Sequence, residues 1–257
     1  MTGQDPQFLL QLCGLGKSYG AVRAVDGIDL GIHRGEVVAI CGDNGAGKSS
    51  LIKMISGAEM PTEGTIRLRG EAVRFMSPQD ALRCGVATIY QDLALAPRLS
   101  IYENIFMGAE LTLSFGIPFL HILDKARMQT EAAGYMKRLA IPVTDMSCPV
   151  ERLSGGQRQA VALCRALRWN ADIVIMDEPT AALGVRETAQ VNSLIRNLRE
   201  EGRTVILISH NMADVVALAS RVVVLSRGRK IADRPVAGLT PDDISHMIMT
   251  HVEPALA

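Results

Sequence analysis

A glycine-rich loop between a buried strand and a helix is the feature that most restricts how this chain can fold. Residues 42–49 read Gly-Asp-Asn-Gly-Ala-Gly-Lys-Ser, shortly after the apolar run at residues 36–40. Helical spacing then begins at Lys48 and ends before Gly57. Glycines let the backbone N–H groups of such a loop turn inward, and the helix N-terminus directs its positive dipole end to the same point. The pattern predicts a phosphate-binding loop within an α/β fold.

The residue types of this phosphate loop (residues 42–49) predict how a nucleotide is held. The Lys48 ammonium would reach the β- and γ-phosphates of ATP, and the Ser49 hydroxyl would bind Mg²⁺. A glycine-rich turn that only connects a strand to a helix is the alternative. The candidate nucleotide-binding residues of this region are Gly42, Asp43, Asn44, Gly45, Ala46, Gly47, Lys48, Ser49 and Ser50.

Two acidic residues close a second apolar strand. Asp177 and Glu178 follow the run at residues 172–176, which places both carboxylates at the carboxyl edge of the sheet, where open α/β folds bind ligands. Asp177 would hold Mg²⁺ through water opposite Ser49, and Glu178 would polarise the attacking water as a general base. A strand that simply ends in solvated acids is the alternative. The phosphate loop upstream favours ATP hydrolysis.

Composition narrows the class of protein. The 257 residues are 48% hydrophobic, enough to fill the core of one large domain or two subdomains. Lys plus Arg and Asp plus Glu balance at 27 each, so the charge favours neither nucleic acid nor an anionic membrane surface. The five cysteines are scattered, and no apolar run reaches the roughly 18 residues that span a bilayer. We expect a cytosolic enzyme with reduced cysteines.

Strand and helix patterns alternate along most of the chain, which predicts a mostly parallel sheet covered on both faces. From residue 92 to residue 168, strand signals vanish and helical spacing takes over. We therefore expect an α/β core interrupted by a helical insertion. The predicted strands are residues 36–40, 65–68, 86–90, 172–176, 204–208 and 221–225, and the predicted helices include residues 48–56, 78–83 and 241–250.

A second motif identifies a family resemblance. Residues 153–157 read Leu-Ser-Gly-Gly-Gln, lie shortly before the acidic strand and open a helix. With the phosphate loop, they make the chain resemble ATP-binding cassette (ABC) ATPases over nearly its full length. The resemblance implies a P-loop NTPase fold in a single domain, residues 7–257. Its RecA-like α/β core would comprise residues 7–91 and 169–257, with an antiparallel β edge, and residues 92–168 would form a helical subdomain.

The same resemblance implies an ATP site shared between two subunits. In a head-to-tail dimer, Ser154 and Gly156 of one subunit would contact the γ-phosphate held by Lys48 of the other. Gly155 and Gln157 belong to the same binding turn. A second helix N-terminus adds hydrogen-bond donors to the phosphate, and a glycine pair allows close approach. The active form would be a homodimer or a pair with a separate cassette chain.

Three single residues also match family positions. Tyr19 resembles the aromatic residue that stacks on adenine, although a lone Tyr is more often a packing residue. Gln91 resembles the glutamine that senses Mg²⁺ and links to the membrane partner. His210 resembles the histidine that contacts the γ-phosphate, although a His at a strand end is usually structural. The resemblance thus implies Glu178, His210 and Gln91 as catalytic residues and Ser49, Gln91 and Asp177 as metal ligands.

One position departs from the family pattern. The acidic pair is usually followed by a Ser-Ala-Leu-Asp segment, whereas residues 181–184 read Ala-Ala-Leu-Gly. The aspartate that normally crosses the dimer interface is therefore replaced by Gly184. Either the loop still crosses through its backbone and coupling between the sites is looser, or one site is weakened. We favour looser coupling because Lys48, Gln91 and Glu178 are all present.

Residues 89–92 and 99–108 resemble bacterial monosaccharide importers of the ribose, xylose and fructose type, in a single-cassette form. That resemblance implies an integral-membrane sugar permease, an extracytoplasmic sugar-binding protein, a peripheral location at the cytoplasmic face of the inner membrane, and no nucleic acid. The apolar residues 111–120 would receive the permease, unless they form a subdomain core around a Gly-Pro bend. A soluble mechanical ATPase and a weakly hydrolysing regulatory subunit remain as alternative functions.

Overall fold

The computed structural model describes residues 8–114, 121–139, 141–142, 145–181 and 183–250. Its strands are β1 (Phe8–Tyr19), β2 (Val22–His33), β3 (Val37–Cys41), β4 (Glu63–Leu68), β5 (Glu71–Val73), β6 (Val86–Ile89), β7 (Thr112–Ser114), β8 (His121–Leu123), β9 (Ile173–Asp177), β10 (Thr204–Ile208), β11 (Arg221–Ser226) and β12 (Arg229–Pro235). Its α-helices are α1 (Lys48–Ile55), α2 (Pro78–Arg83), α3 (Ile101–Phe106), α4 (Lys125–Arg138), α5 (Gly155–Arg168), α6 (Val185–Glu200), α7 (Met212–Leu218) and α8 (Pro241–Thr250).

A six-stranded sheet forms the centre of the fold, in the order β12-β11-β3-β10-β9-β6. All of its pairs are parallel except β11–β12 at one edge. Every residue of β3 and β10 is buried. Continuous apolar runs of this kind are typical of parallel strands covered on both faces. The predicted mostly parallel α/β core is confirmed.

A second sheet is antiparallel and runs in the order β2-β1-β4-β5. Helix α1 buries Leu51, Ile52, Met54 and Ile55 in one apolar cluster with side chains of both sheets, such as Leu10 and Val38. The antiparallel edge implied by the family resemblance is therefore present. Strand boundaries within residues 8–33 were not predicted.

Helices α3, α4 and α5, which follow β6 and precede β9 in the sequence, pack against one another. Helix α4 buries Met128, Ala132 and Met136, and these side chains join one cluster with those of the central sheet, such as Val174. The helices thus share a core with the sheet. The division into core and helical subdomain stays a prediction.

The expectation that residues 92–168 contain no strand is wrong. A short hairpin pairs Leu113 with Ile122, through strands β7 and β8 of three residues each. Strands this short offer too few alternations for a period of two to stand out from the helical pattern around them. Phe115 and Phe119, central to the predicted permease contact, lie outside the described residues. Within the described part of the chain, no helix is long and apolar enough to cross a membrane.

Candidate active site

The parallel register brings the predicted site residues to one edge of the central sheet. Ile208 of β10 is paired with Ile40 of β3 on one side and with Asp177 of β9 on the other. Ile89 of β6 is paired with Met176 of β9. Because the strands are parallel, the segments that carry Gly42, Glu178, His210 and Gln91 all leave from the same edge. This is the edge where the sequence placed the ligand.

The phosphate loop needs its glycines for two different reasons. Gly42, Gly45 and Gly47 all have positive φ angles, of 149°, 80° and 102°. A Cβ on Gly42 would meet the carbonyl oxygen of Leu225, and a Cβ on Gly47 would meet that of Ala24, both closer than a real Cβ contact. Gly45 faces open space, so only its backbone angle requires glycine.

The N-terminus of α1 leaves its N–H groups without a side-chain acceptor. Gly47 is the N-cap residue, no side chain caps the helix, and its first turn contains no acid. These N–H groups and the helix dipole are therefore directed at the space enclosed by the loop. The Lys48 ammonium lies over the same loop, where it donates to the carbonyl oxygens of Gly42 (2.5 Å) and Asp43 (2.9 Å).

Asp177 and Glu178 differ in environment although they are adjacent. Burial raises the pKa of the Asp177 carboxyl, the charge of Glu178 raises it further, and the Lys48 ammonium opposes the shift. Glu178 has a left-handed backbone with φ of 49°, and its N–H donates to the carbonyl oxygen of Ile208 (2.9 Å). Such a conformation in a residue other than glycine costs of order 1–3 kcal/mol and is typical of active sites. No pattern in the sequence indicated it.

His210 lies beside Glu178. The His210 Nδ1 atom is 3.1 Å from Glu178 Oε2, and the imidazole side chain is 70% exposed. The histidine therefore contacts the predicted base and also faces solvent, where a phosphate could reach it. The charges of Lys48 and Glu178 act on Asp177, and His210 contacts Glu178. These four site residues thus interact as one group.

Tyr19 is half exposed and held from two sides. Its hydroxyl donates to the carboxylate of Glu59, and the Lys17 ammonium lies 5.2 Å from the ring centroid. Lys53 of α1 also pairs with Glu59, at 3.1 Å. The Tyr19 hydrogen bond, with help from Lys53 and Lys17 and against the effect of burial, lowers the pKa of the Glu59 carboxyl. Glu59 was not found from the sequence, because its contact to Tyr19 spans 40 residues.

The turn at the start of α5 is closed by two reciprocal hydrogen bonds between Ser154 and Gln157. Ser154 is the N-cap residue: its hydroxyl accepts the Gln157 N–H (3.3 Å), and the Gln157 side chain accepts the Ser154 N–H (3.0 Å). We call residues 153–157 the signature turn. A Cβ on Gly155 would collide with Leu183, and one on Gly156 with the side chain of Gln190. The glycine pair therefore packs closely against Leu183 and against Gln190 of α6 within the same chain, contacts that the sequence did not indicate.

Gln91 lies beyond the end of β6, beside a cleft of about 340 Å³ that the start of α5 also lines. Other residues of this cleft include Gln159, Ala181 and Leu183. In the part of the chain that the structure describes, no hydrogen bond joins Gln91 to Asp177 or Glu178. Gln91 thus shares their edge of the sheet without a hydrogen bond to either carboxylate among the described residues.

The signature turn is separate from the phosphate loop. Among the described residues, no hydrogen bond or ion pair links residues 154–157 to residues 42–49. Ser154 is exposed. Gly184 has an ordinary backbone with φ of −72° and open space where a Cβ would lie, so local packing does not exclude an aspartate there.

Comparison with known proteins agrees with this arrangement. A model of the ABC transporter family matches residues 25–181. The chain is 45% identical over 240 residues to the xylose/arabinose import ATP-binding protein XylG of Sulfolobus acidocaldarius, with 93% of each chain covered. It is 46% identical over 231 residues to the fructose import ATP-binding protein FrcA of Rhizobium meliloti, covering 89% of this chain and 88% of the relative.

Other relatives are about twice as long. The ribose import ATP-binding protein RbsA 2 of Streptomyces coelicolor is 39% identical over 95% of this chain, which spans 45% of that relative. Among solved structures, cbiO1 from Clostridium perfringens, part of the ABC transporter complex cbiONQ, superposes with a TM-score of 0.76 at 25% identity, covering 93% of this chain and 91% of its own.

A second solved structure is a dimeric ATP-binding cassette in a post-hydrolysis state bound to ADP and Pi. It superposes with a TM-score of 0.73 at 25% identity and covers 90% of this chain and all of its own. The family match spans the strand–loop–helix segment at residues 37–55 and the acidic end of β9. The chain belongs to the ABC transporter family and is an ATP-binding, ATP-hydrolysing member of it.

Proposed function

We propose that this chain is the energy-coupling subunit of a monosaccharide importer, in which two copies bind ATP head to tail and drive a membrane permease. The observation that carries the proposal is the division of the site: the phosphate loop and acidic pair lie together, and the signature turn lies apart from them. The similarity to xylose/arabinose and fructose import proteins over about nine-tenths of the chain supports the sugar class.

The phosphate half of the site would hold the nucleotide in one chain. Open N–H groups of α1 and the Lys48 ammonium match the β- and γ-phosphates. The donor set also fits Mg²⁺, because a Ser49 hydroxyl, a half-buried Asp177 carboxylate and phosphate oxygens are all oxygen ligands. When bound, Mg²⁺ neutralises charge on the phosphate oxygens. Tyr19, with one ring face under Lys17, would offer its other face to adenine.

Two side chains would act at the reacting centre, Glu178 on the attacking water and His210 on the γ-phosphate. Glu178 accepts the proton of the water as a general base, and its left-handed backbone holds the carboxylate at the open end of β9. His210, whose Nδ1 lies 3.1 Å from the Glu178 carboxylate, would contact the γ-phosphate with the other edge of its ring. Gln91, which follows the neighbouring strand β6, would offer its side-chain oxygen as a further ligand for the metal.

The second half of the site would come from the other chain. The exposed Ser154 hydroxyl and the N–H of Gly156, a residue buried in the single chain, would donate to a neighbouring γ-phosphate, while the Ser154–Gln157 capping box fixes the shape of the turn. Catalysis therefore needs two chains, whether identical or paired with another cassette. We assign residues 7–91 and 169–257 to the RecA-like α/β core of a single domain, residues 7–257, and residues 92–168 to a helical subdomain that carries the signature turn.

The permease would dock beside Gln91 at the cytoplasmic face of the membrane. A largely apolar cleft of about 240 Å³ lies between α2, β6 and α5, lined by Leu82, Tyr90, Met107 and Trp169. We assign this cleft to a cytoplasmic segment of the permease. Leu113, within the predicted permease contact at residues 111–120, is exposed. The contact itself stays a prediction.

Mixing two damaged variants tests the division of the site. Lys48→Ala removes the phosphate half and Ser154→Arg blocks the signature half, so each variant alone should hydrolyse almost no ATP. In mixed dimers one site is intact, and an equimolar mixture should recover up to about a quarter of wild-type turnover. Lys48→Ala mixed with Glu178→Gln, both damaged in the same half, is the matched control and should recover nothing.

Failure of the first mixture to recover activity would contradict the two-chain site.

The importer role needs a separate test, in which the affinity-tagged chain is captured from its native membranes. A polytopic permease and a sugar-binding protein should co-purify. Recovery of the chain alone, with slow hydrolysis, would favour the regulatory subunit, for which Gly184 in place of the interface aspartate is the relevant observation.

A further inference from the structure

One carboxylate joins the first turns of two helices. Glu187, at the third position of α6, accepts the Gly155 N–H at the start of α5 through Oε1 (2.8 Å). Its other oxygen, Oε2, accepts the N–H of Gly184, the N-cap residue of α6 (3.3 Å). Carboxylates at helix N-termini are favoured by the dipole, and here a single side chain serves two.

The glycine at position 184 explains why the side-chain hydrogen bond at the start of α6 comes from Glu187. An N-cap residue normally offers a side-chain oxygen to the first turn, and glycine has none. At α6 only the reciprocal half of a capping box is present, from Glu187 back to the Gly184 N–H. Among the described residues, Glu187 therefore joins this segment to the signature turn by a hydrogen bond, beside the packing of Leu183 on Gly155.

A second contact anchors the other end of the same segment. Gln159 of α5, which is 6% exposed, donates through Nε2 to the carbonyl oxygen of Pro179 (2.9 Å). Pro179 directly follows Glu178. Residues 179–187 are thus attached to α5 at both ends, through Gln159 and through Glu187. Between them, Leu183 packs against the face of Gly155 where a Cβ would otherwise lie.

We propose that Glu187 is a positioning residue that fixes the signature turn relative to the segment after Glu178. Glu178 serves the ATP held by its own chain, and the signature turn serves the ATP of the neighbouring chain. Glu187 therefore sets how the state of one site is transmitted to the other. It does so in a chain where Gly184 replaces the aspartate usual at the dimer interface. The inference rests on the two-chain site proposed above.

The bridge requires two acceptor oxygens. In Glu187→Gln one of the two oxygens becomes an NH₂ donor, so in the present geometry one of the N–H groups, of Gly155 or of Gly184, loses its acceptor. In Glu187→Ala both bonds are lost. We expect ATP turnover (kcat) to fall about 10-fold in Glu187→Ala and by less in Glu187→Gln, because a small displacement of an aligned group slows reaction strongly.

The binding of nucleotide to a single chain should not change. The Kd for a fluorescent ATP analogue, measured at dilutions that keep the chain monomeric, should stay within about 2-fold, because the phosphate loop does not touch Glu187. In a Glu178→Gln background, which slows hydrolysis, ATP-dependent dimerisation measured by analytical ultracentrifugation should weaken about 10-fold with Glu187→Ala.

Asp124→Ala is the matched control. It removes the carboxylate that caps α4, whose Oδ1 accepts the Arg127 N–H (3.0 Å), at a site remote from the signature turn. It should lower the melting temperature (Tm) about as much as Glu187→Ala while leaving kcat unchanged. Equal kcat in Glu187→Ala and the wild-type chain would overturn the inference, as would equal loss of kcat in both variants. If the wild-type chain itself shows no cooperative, two-chain hydrolysis, the proposed function fails instead.

Discussion

The starts of α1 and α5 are both glycine-rich helix N-termini, and the structure treats them in opposite ways. At α1 no side chain accepts the first N–H groups, and Lys48 is folded over the loop. At α5 the Ser154–Gln157 capping box and the Glu187 carboxylate occupy most of them. A turn that encloses its own ligand keeps its donors open. A turn that must present a fixed surface to another chain is held by its own neighbours.

Glu178→Gln should separate ATP binding from hydrolysis in the half of the site that contains the phosphate loop and the start of α1. The substitution removes the base but retains the side-chain shape, so hydrolysis should slow by about 10²–10⁴ while ATP still binds. Single-turnover hydrolysis and equilibrium binding of ATP measure the two quantities. Unchanged turnover would remove Glu178 from the mechanism.

Ser154→Ala tests the second end. It deletes the hydroxyl assigned to the neighbouring γ-phosphate and should lower kcat about 10-fold without changing the Kd of ATP for a single chain. The variant also loses an N-cap, worth about 1 kcal/mol. Ser100→Ala removes the equivalent capping box of α3, where Ser100 pairs with Glu103, and controls for that loss. If Ser100→Ala lowers kcat equally, the hydroxyl of Ser154 has only a capping role.

Asp177→Asn should raise the stability of the nucleotide-free chain. The folded pKa of Asp177 lies above its unfolded value, so the ionised carboxylate destabilises the fold at neutral pH. Removing the charge should raise Tm by about 1–3 °C near pH 7. As pH falls below the raised pKa, the wild-type carboxyl becomes protonated and the difference should shrink. Tm measured by calorimetry across pH 4–8 in about 0.1 M salt checks this; a difference that grows toward low pH would contradict it.

The smallest effect is expected at Tyr19. Tyr19→Phe keeps the ring and loses the hydrogen bond to Glu59, so KM for ATP should rise about 2-fold with kcat unchanged. Tyr19→Ala, which removes the ring itself, should raise KM by about 10-fold. Equal KM in both variants would mean that the hydroxyl, and not the stacking face, matters.

Structural features with a local signal could be predicted from the sequence, whereas features that depend on contacts between distant residues could not. Strand β10 was predicted to the residue, and α1 to within one residue, because apolar periodicity and helix-ending glycine are local. The bridge by Glu187 was not predicted, because its contact to Gly155 spans 32 residues. Nor was the left-handed backbone at Glu178, which depends on how the segment after β9 meets β10.

The backbone at Glu178 has a consequence for how this chain could change under selection. Glycine would adopt a φ of 49° without strain, so variants screened for thermal stability alone would tend to lose the carboxylate at this position. Screening for turnover would retain it. Robustness and activity therefore pull in opposite directions at one residue, and a thermostabilised form of this ATPase has to gain its stability elsewhere in the fold.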